Sequence, residues 1–242
     1  MRKHPFLNNH TYHIFNRGVE KRDIFLDEND YRYFVHDLFV LNDSEPFLNN
    51  KRTFAEKPGG IDRPRVPIIR DPLVDLFVFN LMPNHFHLEA RQKVDGGITK
   101  FMRKLGTSYT MFFNKKYDRV GPLLQGTFKA VLLEKDPHFM YLPHYIHFNP
   151  LDLMPRHNDR GSTSIIVAEE KMKFLSEYKW SSFQDYIGKN NFPSVTEREF
   201  LLNFFGGVEG YKKAVLQWLG ANEENGGKIT GMGNDLLIDL EN

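Results

Sequence analysis

The sequence predicts an α+β fold built on an antiparallel sheet, and three observations carry that expectation. Short runs rich in β-branched and aromatic residues are interleaved with longer runs whose apolar residues recur every three or four positions. Two of the short runs flank the turn-like Met82-Pro83-Asn84. Up to residue 149 the runs follow the order strand, helix, strand, strand, helix, strand, helix.

The first strand is Thr11 to Arg17, Thr-Tyr-His-Ile-Phe-Asn-Arg, and it exits at Gly18. Between Asp27 and Asn42, Tyr31, Phe34, Val35, Leu38 and Leu41 mark one face of a helix, with Asp27 placed to cap it. From Asp43 to Pro72 five prolines and the Gly59-Gly60 pair break any period, so residues 43–72 read as a long loop or insertion. Leu73 to Leu81 and Phe86 to Arg91 read as a hairpin. Phe101, Leu105, Tyr109, Phe112 and Phe113 mark a helix over 97–116, Phe128 to Glu134 a fourth strand, and Pro137 to Asn149 a further helix with proline in its first turn. The order βαββαβ is that of the ferredoxin-like, split βαβ arrangement, with helices on one sheet face and the other face open to a ligand. Beyond Pro150 the pattern weakens. Arg156 to Ala168 shows no period, while Phe200 to Phe205 and Tyr211 to Leu219 read as short helices. The expected organisation is a domain over 1–155, a helical extension over 156–220 and a tail over 221–242.

Composition restricts the chemistry. No run approaches the roughly 20 apolar residues that span a bilayer, and the N-terminal stretch lacks the apolar core of a secretory signal, so a cytoplasmic protein without membrane association is expected. The absence of cysteine excludes disulfides, thiolate nucleophiles and sulfur-based zinc sites, leaving His and oxygen ligands for any metal. A net charge of +1 conceals a basic segment: residues 91–135 hold ten Lys or Arg against three acids, interleaved with aromatics. Such a segment suits phosphate contacts and base stacking, and on composition alone it equally reads as a solvated helix face over an aromatic core.

Chemistry-bearing residues concentrate in two places. His85 and His87 are separated by one residue in a strand, so their imidazoles point to one side and form half of a coordination sphere for a divalent metal. Tyr145 and Asn149 lie four apart on a predicted helix and therefore on one face, a phenol beside an amide oxygen. Asn149 could complete a His, His, Asn set for Mg²⁺ or Mn²⁺ while the Tyr145 phenol attacks phosphorus. A bare His-x-His is more often a pair of half-exposed histidines, and a lone helical tyrosine more often a core aromatic.

Context comes from five motifs: Tyr12-His13-Ile14-Phe15-Asn16-Arg17-Gly18, Met82-Pro83-Asn84-His85-Phe86-His87-Leu88, Gln125-Gly126-Thr127-Phe128-Lys129, Tyr145-Ile146-His147-Phe148-Asn149-Pro150 and Trp180-Ser181-Ser182-Phe183. In this order they resemble the REP-associated tyrosine transposases, of the single-tyrosine HUH endonuclease class, over about residues 10–220. The resemblance implies that His85 and His87 hold the metal with Asn149 near it, and that Tyr145 is the nucleophile that takes a 5′-phosphate and leaves a 3′-hydroxyl. It also implies single-stranded or hairpin DNA as substrate. Arg17, Arg91, Lys100, Arg103, Lys104, Lys115, Lys116 and Lys129 are the candidate DNA contacts. Leu124, Thr127 and His144 depart from the Trp, Arg and Arg usual in the family, so three expected DNA or packing contacts are altered. A monomer and a homodimer are both compatible with the sequence. Two other readings stay open: a nucleic-acid-binding protein that no longer cleaves, and a histidine-based metallohydrolase that activates water.

Overall fold

The computed structural model describes residues 5–44, 70–133, 136–155 and 164–224. Four strands form one sheet: β1 (Thr11–Arg17), β2 (Val74–Met82), β3 (His85–Gln92) and β4 (Lys129–Leu132). Their spatial order is β2-β3-β1-β4, with every pair antiparallel. With α1 (Glu28–Val40) after β1 and α2 (Gly97–Lys116) after β3, the chain has the expected βαββαβ order. It continues through α3 (Asp136–Phe148), a 3₁₀ helix (Asn149–Leu153), α4 (Ser164–Glu177), α5 (Phe183–Tyr186), α6 (Glu199–Phe205) and α7 (Gly207–Glu224). Among the described residues no helix is long and apolar enough to cross a membrane.

Local chemistry accounts for the ends of these elements. Asp27 caps α1 by accepting from the backbone N–H of Asn29 and Asp30, while the Asp30 carboxylate reaches back to the Asp27 N–H, a reciprocal capping box. The β2–β3 hairpin turns in the two residues Pro83-Asn84, and its carbonyls are tied down from outside: Gly18 N–H donates to Asn84 O, and the Ile24 and Phe25 N–H groups to Pro83 O. Gly18 is required there, because a Cβ would lie 2.2 Å from the Arg22 carbonyl oxygen. The exit of β1 and the tip of the hairpin are thus fastened at one end of the sheet.

The two sheet faces bury different things. On one face Tyr12, Ile14, Leu81, Phe86, Leu88 and Ala90 pack against Phe34 and Leu38 of α1 and Phe101, Leu105 and Tyr109 of α2. The other face, expected to be open, is partly covered. Phe77 and Val78 of β2 form a second core with Leu142, Ile146 and Phe148 of α3 and with buried residues of α4 to α7. Side chains of β2 alternate between the two cores, a bulge between Leu76 and Val78 puts both Phe77 and Val78 in the second, and all nine residues of the strand are buried.

Several boundaries differ from expectation. The fourth strand is confined to Lys129–Leu132, and Glu134 lies outside the described residues. The α-helix ends at Phe148, so Asn149 opens the 3₁₀ turn instead of closing the helix. Residues 164–168, expected to lack regular structure, begin α4, and residues 221–224 of the expected tail complete α7, which starts four residues before the predicted Tyr211. Residues 45–69 of the insertion and 225–242 of the tail lie outside the described residues. The insertion's ends meet, since Ser44 N–H donates to Asp71 O and Arg70 to the carbonyls of Phe39 and Asn42.

Candidate active site

A cleft of about 380 Å³ opens on the second sheet face beside the hairpin tip, and α3 forms its far wall. The sheet register places its floor: Phe15 lies opposite His87, Arg17 opposite His85, and Phe15 opposite Lys129 across the two ladders that join β3, β1 and β4. Tyr145 and Asn149 reach the same cleft from above. Pro150, at the start of the 3₁₀ turn that follows, disfavours continued α-helix at the residue before it and so sets the end of α3 there.

The four residues singled out for catalysis and metal binding therefore meet at one place. His85 Nδ1 lies 2.6 Å from Asn84 Oδ1, and the Asn84 amide nitrogen donates to the Lys21 carbonyl, which fixes the amide's orientation. The asparagine oxygen is then an acceptor, so His85 carries its proton on Nδ1 and a lone pair on Nε2. That lone pair faces Asn149 Oδ1 at 3.4 Å. Asn149 is oriented in the same manner, its amide nitrogen donating to the Tyr145 backbone carbonyl at 2.8 Å. Two electron-pair donors converge where a hydrogen bond between them would need a proton that neither carries. A cation placed between them resolves this.

His87 is buried, and its Nε2 has no hydrogen-bond partner, while its Nδ1 lies 2.9 Å from His13 Nε2. Burial holds His87 well below the usual imidazole pKa, with His13 and His85 adding to the effect. Burial likewise lowers His85, opposed by its contact with Asn149. Both rings are therefore neutral near pH 7 and able to bind a metal. Among the described residues no group of three His, Cys, Asp or Glu is arranged to hold a metal. The donor set here is two imidazole nitrogens and an amide oxygen, which suits Mg²⁺ or Mn²⁺ only when substrate oxygens and water complete the shell.

Tyr145 is half-buried, its ring edge-on to His13 and His87 with centroids 5.8 and 5.7 Å away and stacked on Tyr141 at 6.1 Å. Burial raises its pKa above the usual phenol range, Tyr141 adds to this, and the Asn149 amide opposes it. At neutral pH the hydroxyl keeps its proton until a reaction removes it.

The eight candidate DNA-contacting cations are not brought together. Arg17 and Lys129 line the cleft, joined by Lys21, which sequence reasoning missed. Arg91 is paired with Asp75 and stacks over Phe200 at the other end of β3. Lys100 and Lys104 donate to the carbonyls of Ser44 and Asp43, and Lys116 bridges Asp27 and Asp30. Arg103 borders a separate groove between α2 and the 122–128 segment, and Lys115 is exposed on α2. Of the three family departures, His144 is buried among Phe148, Phe205, Tyr211 and Trp218, where burial pushes its pKa down to about 4. That position is packed rather than presented to a ligand. Sequence reasoning also missed Gln125, Asn84, Asp152 and His13 as site residues. Gln125, Asn84 and His13 stand inside the motifs that carried the resemblance, whereas Lys21 and Asp152 had no local signal.

No protein-family model and no curated protein sequence matches this chain. Among solved structures, it is similar to a REP-associated tyrosine transposase bound to a REP hairpin, with 12% identity, a TM-score of 0.46, and coverage of 80% of this chain and 88% of that chain.

Proposed function

We propose that this protein is a metal-dependent endonuclease and strand transferase for single-stranded or hairpin DNA, with Tyr145 as nucleophile. It would serve transposition or the mobilisation of repeat-associated DNA. The observation that carries this reading is the meeting of His85 Nε2 and Asn149 Oδ1 at 3.4 Å in a cleft also lined by His87, whose Nε2 has no partner, and by the half-buried phenol of Tyr145. The motif resemblance supports the same assignment. A divalent cation held by these residues would polarise a phosphate oxygen and offset charge in the transition state. The Tyr145 hydroxyl then forms its bond to phosphorus as the bond from phosphorus to the 3′-oxygen breaks. The phenolic proton is taken up, overall, by the departing 3′-hydroxyl, leaving the 5′-phosphate on the tyrosine. Because the new linkage is also a phosphodiester, attack by another 3′-hydroxyl reverses the step and joins strands. Arg17, Lys21 and Lys129 on the cleft wall would hold the neighbouring phosphates.

The test is to incubate the protein with a labelled single-stranded hairpin and Mn²⁺ or Mg²⁺, then separate the products on a denaturing gel beside Tyr145→Phe and His87→Ala. A metal-dependent covalent adduct absent from both variants is expected. Cleavage that persists in Tyr145→Phe would instead indicate activated water, and binding without cleavage across a panel of hairpins a non-cleaving binder.

A further inference from the structure

We infer that His13 is a positioning residue that holds His87 in the one tautomer able to take a metal; the inference rests on the metal site proposed above. His13 lies on β1, on the cleft side of the sheet, wholly buried, with its Nε2 2.9 Å from His87 Nδ1 and the two rings stacked at 5.1 Å and 19°. One proton lies between the two nitrogens, and it can belong to either ring. If His13 donated it, His87 would carry its own proton on Nε2, where it is buried and meets no acceptor. If His87 donates it, Nε2 carries a lone pair in a ring that lines the cleft, available to a metal there, and His13 carries its own proton on Nδ1.

The strand opposite favours the second arrangement. Glu89 is the cross-strand partner of His13, and its two buried carboxyl oxygens have no hydrogen-bond partner, as is true of His13 Nδ1. A carboxyl group keeps an acceptor oxygen in either protonation state, and although the two side chains make no hydrogen bond here, Glu89 is the cross-strand neighbour from which an acceptor for the His13 Nδ1 proton would come. His85 is fixed in the same sense by Asn84, so each imidazole has its Nδ1 held by a second side chain.

Nuclear magnetic resonance of ¹⁵N-histidine-labelled, metal-free protein reads the tautomer of His87 directly. The Nδ1–H form is expected, and the Nε2–H form would overturn the inference whether or not metal binds. Calorimetric titration with Mn²⁺ gives the second readout. His13→Phe keeps an aromatic ring but removes the acceptor and should weaken Mn²⁺ binding by about 10- to 100-fold. His13→Gln, which restores an acceptor, should recover most of it. A folded His13→Phe protein that binds Mn²⁺ within twofold of wild type would refute the role. Wild-type protein that binds no Mn²⁺ would instead sink the metal site itself, leaving the tautomer measurement to decide the part played by His13.

Discussion

Asn84 and Asn149 each commit their amide nitrogen to a backbone carbonyl, so their oxygens are left facing His85 from opposite sides. At this scale the identity of a side chain matters less than what occupies its other end. The lysines illustrate it. Lys104 lies in the most basic stretch of the sequence, yet its ammonium donates to the Asp43 carbonyl, while Lys129 reaches the cleft. Lys129→Ala should weaken binding of a single-stranded hairpin and reduce the magnitude of the log K against log salt slope by roughly 0.7 to 1. Lys104→Ala should leave that slope unchanged and lower the melting temperature, with binding measured by fluorescence anisotropy across a salt series. Charge counting could not separate these two lysines, because the partner of each is fixed by tertiary contacts. Strand and helix periodicities suggested that His85 and His87 share one face and Tyr145 and Asn149 another, but only the motif resemblance joined the two pairs into one set. His13 was not legible as a site residue, since its contact with His87 depends on β1 pairing with β3 in one register.

At the scale of elements, the clearest sequence signals were those backed by end chemistry. Asp27 heads α1 and accepts two backbone N–H bonds, and its carboxylate also meets Lys116 at the end of α2. Asp27→Ala should therefore cost about 1 to 2 kcal/mol in chemical denaturation, since it removes the cap together with a partly exposed ion pair. Asp27→Asn should retain most of the capping share, and DNA cleavage should be unaffected in both. Helix α2 was legible to its bounds because its aromatic stripe runs its full length against the sheet. Helix α4 was missed for a definable reason. The stretch read as irregular began eight residues before the helix and stopped at Ala168, short of Met172 and Leu175, which with Ala168 make the buried face. Strand β2 held an unused signal as well. A run as apolar as Leu-Phe-Val-Phe is what a strand needs when both faces are covered, and reading it so would have predicted the second core.

For the molecule as a whole, the second core places several histidines where water does not reach. His147 lies between the Tyr211 hydroxyl at 2.6 Å and Ser182 Oγ at 2.8 Å, fastening α3 to α7 and to the segment before α5. Burial is the first cause of the lowered pKa of His13, His85, His87, His144 and His147, with His13 pushed down to about 3 and His144 to about 4. In the unfolded chain these rings titrate near the ordinary imidazole value of 6.5. Above that pH both states are neutral, and the histidines add no pH dependence. As pH falls below it, the unfolded chain takes up protons that the folded protein refuses, so stability declines with falling pH, by up to about 1.4 kcal/mol per pH unit for each such ring. For His144 the decline continues to about pH 4, where the folded protein also begins to bind the proton. Urea unfolding followed from pH 7 to pH 4.5 should show this acid-side loss. His144→Phe, which keeps an aromatic ring among Phe148, Phe205, Tyr211 and Trp218, should make the loss shallower by about one proton's slope. An unchanged slope in that variant would mean that His144 is protonated in the folded protein at the same pH as in the unfolded chain, and that the aromatic cage around it is open to water.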